Sequence, residues 1–99
     1  MSAAGSSDGM YEIGGLDVEV KNSVARLTSN GSLAGSTLTM EQAFLNFMKK
    51  DGVSIIDAVH ASSTLPARIL KVEKVGSIAI GNKANILHFD GEKIELLTF

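Results

Sequence analysis

The sequence predicts an α/β chain in the order hairpin, two or three helices, then short strands. Three observations predict it. Leu16, Val18 and Val20 alternate with Asp17, Glu19 and Lys21, the period of a half-buried strand. Met40, Ala43, Phe44, Phe47 and Met48 recur at helical spacing, one face of an amphipathic helix. After Leu70, short apolar runs are bounded by Gly76, Gly81, Asn82 and the pair Asp90-Gly91, which reads as strands and tight turns.

Along the chain, the first nine residues are small and polar and read as a loose tail or as a loop lining something, with a turn at Asp8-Gly9. Tyr11 and Ile13 lead to Gly14-Gly15. The alternating strand follows, then a turn at Lys21-Asn22-Ser23 and a second short strand over residues 24–27, giving a hairpin. Asn30-Gly31 makes another turn. Thr39 and Gln42 are spaced for a capping box at the start of the first helix; Lys49 and Lys50 suit its negative end, and Gly52 is placed as its C-terminal cap. Ser54 and Asp57 open a second helix that carries Ile55, Ile56, Val59 and His60 inward. It is expected to stop near Ser63, because Leu65 precedes Pro66 and is pushed from helical angles. Pro66 then starts a short helical turn through Ile69. Residues 77–80, 84–89 and 93–99 read as strands, the last two joined at Asp90-Gly91.

Composition excludes several functions. Ninety-nine residues with 44% hydrophobic content suit one domain or a large piece of one. Net charge is −2, with 9 basic and 11 acidic residues interspersed, so no basic surface for nucleic acid is expected. The absence of cysteine removes disulfides, thiolate nucleophiles and zinc-thiolate sites. No apolar run reaches the roughly 18 residues of a membrane span, and the N-terminus lacks the basic and apolar regions of a secretory signal. Cytoplasmic residence is the expectation.

The candidate binding segment is Leu33, Ala34, Gly35 and Ser36. Ala34, Gly35 and Ser36 leave the backbone nearly bare just ahead of a capped helix, an arrangement suited to a polar or anionic ligand. Its plainer reading is the opening of that helix. The histidines offer less. His60 reads as a core or boundary residue and His88 as an exposed strand residue; they lack metal-pair spacing and no third nitrogen ligand exists. Ser36, His60 and Asp57 could be assembled into a nucleophilic set, but no nucleophile elbow supports it, and Asp57 is better explained as the acidic partner of Ser54. The methionine and phenylalanine stripe of the first helix reads as a packing face, which would be an exposed adhesive patch in a fragment.

Taken together, the residues resemble the C-terminal part of the N-acetylglucosamine-6-phosphate deacetylases, within the metal-dependent amidohydrolase superfamily. The resemblance is carried by Ala4-Gly5, Asp8-Gly9, Tyr11 and Gly14-Gly15, by Gly31-Ser32-Leu33-Ala34-Gly35-Ser36-Thr37-Leu38, by Leu65-Pro66-Ala67-Arg68, and by Gly76-Ser77-Ile78-Ala79-Ile80-Gly81-Asn82-Lys83-Ala84-Asn85. Asn85 stands where many relatives carry aspartate, with no catalytic consequence expected. The resemblance implies the C-terminal part of a (β/α)₈ barrel over residues 1–70, namely the loop after strand eight with its β-hairpin and then helices. It implies short strands of a small composite β-sandwich over residues 71–99. It also implies hydrolysis of N-acetylglucosamine 6-phosphate to glucosamine 6-phosphate and acetate, with a divalent zinc or iron in the intact enzyme activating water. Leu33, Ala34, Gly35 and Ser36 would face the sugar.

In that family the proton-relay aspartate falls just before the position of Met1, and the glutamate and histidine ligands lie far upstream. The expectation is therefore a truncated product or independently made fragment, inactive by itself. No catalytic or metal-ligating residue of its own is expected, and its partners would be the missing barrel, the sugar phosphate and further copies of the enzyme, with no nucleic acid and no membrane. Asp8 does not replace the missing acid. The alternatives are the C-terminal part of another amidohydrolase, dihydroorotase-like or deaminase-like, and a non-catalytic α+β interaction module.

Overall fold

Two glycines and an Asn-Ser pair set the architecture of the first half of the chain. Gly14 and Gly15 (φ 61° and 79°) and Asn22 and Ser23 (φ 50° and 60°) occupy left-handed backbone, as two-residue hairpin turns of the mirror-image type require. They join β1 (Gly9–Ile13), β2 (Leu16–Lys21) and β3 (Val24–Leu27) into an antiparallel sheet of order β1-β2-β3. The register pairs Tyr11 with Val18 and Val20 with Ala25. A computed structural model describes residues 3–98, and they divide into two compact units, Met1–Thr39 and Met40–Phe99.

The expected hairpin of the first unit is thus the second half of a three-stranded sheet, with β1 added across Gly14-Gly15. Its core is Ala3, Val18, Val20 and Ala25, all 2% exposed or less, with Tyr11, Ile13, Leu27 and Ala34 packed against it. Burial of a valine side chain on this scale stabilises by about 1.5–3 kcal/mol. Leu16 shares the inward parity of Val18 but, at the strand end, remains 54% exposed. The start of the chain is no loose tail at Ala3, which is buried in the core and whose carbonyl accepts from the Ser6 N–H. Met1 and Ser2 lie outside the described residues.

In the second unit, α1 (Met40–Met48) forms where the helical spacing placed it. Phe44 is its buried residue, and its ring meets Phe89 edge-on, 5.3 Å between centroids at 83°, a favourable aromatic geometry. The rest of the stripe packs only in part within this unit: Ala43 and Met48 are half-buried, whereas Met40 is 63% and Phe47 40% exposed. Gly52 (φ 78°) supplies left-handed backbone in the turn after the helix, four residues beyond its last residue.

Helix α2 (Ile55–Val59) opens with the expected capping box. The Asp57 N–H donates to Ser54 Oγ at 3.2 Å, and the Ser54 N–H donates to Asp57 Oδ2 at 2.9 Å. The expected end near Ser63 does not occur. A π-helical turn over His60–Thr64 leads directly into α3 (Leu65–Ile69), and Leu65 keeps helical angles of φ −67° and ψ −46°. The wider turn explains it: the Leu65 N–H reaches back five residues to the His60 carbonyl, and this local expansion makes room for the ring of Pro66, which has no N–H to donate. The inward face also differs from expectation. Ala58 is the buried residue, whereas Ile55, Ile56, Val59 and His60 are exposed, because no further layer of this unit lies over them.

Helix α3 ends in a Schellman motif without glycine. The Lys71 N–H donates to Arg68 O (3.2 Å) and the Val72 N–H to Ala67 O (3.0 Å), with Lys71 itself at φ 53°. The strand expected over residues 77–80 is instead a turn. Asn82 Nδ2 donates to both Ser77 O and Ser77 Oγ at 3.0 Å, and Ile78 and Ile80 stand 85% and 108% exposed. The last hairpin is real but short, β4 (Leu87–Phe89) against β5 (Ile94–Leu96). Its turn is held by Asp90 Oδ1, which accepts from the Glu92 and Lys93 N–H groups at 2.8 Å. His88 is exposed on β4, as expected. Phe99, the end of the expected final strand, lies outside the described residues. The chain therefore has α/β content, with strands and a few short helices.

Candidate functional site

In the first unit the segment Leu33, Ala34, Gly35 and Ser36 runs antiparallel beside β3. Leu33 pairs with Arg26 in an isolated bridge. The Leu27 N–H donates to Ser32 O at 2.8 Å and the Ala34 N–H to Ala25 O at 2.9 Å. Arg26 Nη1 reaches the Gly31 carbonyl at 2.8 Å, and Asn30 Oδ1 accepts from the Ser32 N–H at 3.0 Å, so the turn feeding the segment is fixed as well. Ala34 packs against the sheet core. Leu33, 69% exposed, projects away from it.

Beyond Ala34 the backbone leaves the sheet. Gly35 adopts φ 133°, a region open to glycine and disfavoured for other residues. Ser36 Oγ turns back to accept from the Leu38 N–H at 3.0 Å, and Thr37 Oγ1 donates to Ser23 O at 2.5 Å. Among the described residues, no hydrogen bond takes up the N–H groups of Gly35 and Ser36. These two exposed donors, on a segment pinned at both ends, can meet an oxygen-rich ligand. The sequence pointed to the segment through its small residues. It did not reveal the pins, because Thr37 and Ser23, like Asp8 and Asn22, are 14 residues apart.

The second unit carries a groove of about 930 Å³ lined by Met40, Phe44, Ile55, Val59, Ile78 and Leu96 among others. Its lining is largely apolar and brings together no set of reactive groups. The nucleophilic set considered above gains no support: Asp57 Oδ2 is taken up by the Ser54 hydroxyl at 2.6 Å, and no hydrogen bond joins it to His60 among the described residues. The Ser54 hydroxyl and, next, the Ser54 N–H hold the Asp57 carboxyl below its ordinary value, the signature of a cap rather than of a base. Among the described residues there is no group of three or more histidine, cysteine, aspartate and glutamate side chains able to hold a metal ion. No described helix is long and apolar enough to cross a membrane.

The chain belongs to the amidohydrolase family, whose model matches residues 6–99. Among individual proteins it is similar to the N-acetylgalactosamine-6-phosphate deacetylase of Escherichia coli O157:H7, 41% identical over 91 residues, covering 91% of this chain and 24% of that protein. It is also similar to the N-acetylglucosamine-6-phosphate deacetylase of Lysinibacillus sphaericus, 40% identical over 90 residues and covering 91% and 23%. Among solved structures, it matches the N-acetylglucosamine-6-phosphate deacetylase of Thermotoga maritima with a TM-score of 0.69 at 44% identity, over 85% of this chain and 23% of that one. The Mycobacterium smegmatis enzyme, solved in complex with N-acetyl-D-glucosamine-6-phosphate, matches with a TM-score of 0.68 at 38% identity, over the same shares. The chain thus spans about a quarter of these proteins, and 54% of a further relative from Escherichia coli K12.

Proposed function

We propose that this chain supplies a sugar-contacting wall of an amino-sugar deacetylase, which hydrolyses N-acetylglucosamine 6-phosphate to glucosamine 6-phosphate and acetate. The observation that carries the reading is the pinned segment of Leu33, Ala34, Gly35 and Ser36, in which Gly35 and Ser36 are exposed and their N–H groups are taken up by no hydrogen bond among the described residues. Leu33 offers an apolar contact to one face of a sugar ring. The two N–H groups suit ring hydroxyls, the acetamide carbonyl or phosphate oxygens, all acceptors of hydrogen bonds.

In the intact enzyme, residues 1–70 would close a (β/α)₈ barrel and residues 71–99 would add strands to a composite sandwich. The loop would lie at the C-terminal end of the barrel strands, where such sites are built. A divalent metal, zinc or iron, belongs to the same reading, but the described side chains do not fit it. On this reading the metal and the water it activates are held by other parts of the intact enzyme. The remaining partners are the rest of the barrel and further copies of the enzyme, and the setting is cytoplasmic.

Identity to enzymes acting on the C4 epimer, at 41% against 40%, favours N-acetylgalactosamine 6-phosphate as the second reading. A titration of the ¹⁵N-labelled chain with each sugar phosphate, and with dihydroorotate as the control for another amidohydrolase, tests the proposal. Saturable shifts of the Gly35 and Ser36 amides with a sugar phosphate alone support it. Equal shifts with dihydroorotate, or none with either sugar, overturn it.

A further inference from the structure

Resting on that reading, we propose that Thr37 is a positioning residue for the sugar-contacting segment, acting through the β2–β3 turn. The segment is fixed on its upstream side to β3 by two main-chain bonds, Leu27 N–H to Ser32 O and Ala34 N–H to Ala25 O. Downstream, its anchor is the half-buried Thr37, whose hydroxyl donates to Ser23 O at 2.5 Å. Ser23 is a firm point of attachment, because it forms the tight turn with Asn22, both in left-handed backbone. The Asn22 N–H in turn donates to Asp8 Oδ2 at 2.8 Å. Asp8, the turn and Thr37 thus form one line of support. Between the two anchors stand the exposed Gly35 and Ser36, whose N–H groups no hydrogen bond takes up among the described residues. A short span fixed at both ends loses little conformational freedom on binding, so its donors are pre-organised.

The hydroxyl, not the bulk, of Thr37 does this. Thr37→Val keeps the shape and removes the donor, whereas Thr37→Ser keeps the donor. The experiment is titration of the ¹⁵N-labelled full chain with N-acetylglucosamine 6-phosphate, reading the Gly35 and Ser36 amides for affinity and the Val18 and Val20 amides for an intact sheet. Thr37→Val is expected to weaken binding about fivefold, the size of one net hydrogen bond, with Thr37→Ser close to the wild-type chain and the sheet amides unmoved. Asp8→Asn, which loosens the same support from the far side of the turn, is expected to weaken binding in the same direction by less. Wild-type affinity in both Thr37→Val and Asp8→Asn overturns the positioning role while leaving the sugar contact standing. Loss of affinity in Thr37→Ser with the sheet intact also overturns it. Absence of binding by the wild-type chain removes the sugar contact, and this role with it.

Discussion

A β-carbon placed on Gly76 would lie 2.7 Å from Ala67 Cβ and 3.3 Å from Ser63 O, so the chain at Gly76 crosses the π turn and the start of α3 at close range. Thr64 Oγ1 seals the crossing by donating to Gly76 O at 2.8 Å. Gly76 also sits at φ 82°.

Gly76→Ala therefore combines a steric clash with left-handed strain. It should cost about 2–5 kcal/mol, the sum expected for overpacking and for a side chain at positive φ. Chemical denaturation of the chain reads the cost. Gly81→Ala, where a new β-carbon meets open space, carries the strain alone and should cost less. Equal losses would place the effect in φ and not in the contact with Ala67.

Acid should loosen the last hairpin. The Lys93 N–H, and next the Glu92 N–H, hold the Asp90 carboxyl below its ordinary value. A depressed folded-state pKa contributes stability that is present above the unfolded value, near 3.9, and lost as pH falls through the folded value. Amide protection across β4 and β5, taken relative to the intrinsic exchange rate at each pH, should therefore fall below about pH 4, and Asp90→Asn should abolish that pH dependence. A carboxyl of Asp90 titrating at its ordinary value by NMR would refute this.

Gly35 combines φ 133° with a position between two anchors. Gly35→Leu should weaken sugar-phosphate binding more than tenfold while costing about 1–3 kcal/mol or less in stability, since a strained residue in an exposed segment can relax outward. Titration and thermal unfolding of the same protein separate the two effects. Unchanged affinity would argue against a sugar contact here.

How far the sequence could be read depended on the range of the interactions. Elements set by neighbours were legible: the alternation of β2, the Ser54-Asp57 capping box and the Asp90 turn all depend on residues within a few positions. The extension of the helix through Leu65 and Pro66 was not, because it depends on a π turn that no local preference announces. The Lys71 cap was hidden for a related reason, a lysine occupying a position that usually signals itself as glycine. The apolar run over residues 77–80 misled in the opposite direction: a short apolar run between glycines suits a strand, but Asn82 bonds back to Ser77, and Ile78 and Ile80 stay exposed. At the candidate site, the small residues marked the segment. Its anchors, Thr37 to Ser23 and Asp8 to Asn22, belong to tertiary structure.

On the proposed function, Leu33, Ala34, Gly35 and Ser36 provide a saccharide contact while the hydrolytic centre lies elsewhere in the intact enzyme. Acetate release from N-acetylglucosamine 6-phosphate by the purified chain, with zinc or iron added and a metal-free control beside it, tests it most directly. No release above the control is expected with either metal. Metal-dependent turnover by the chain alone would contradict it.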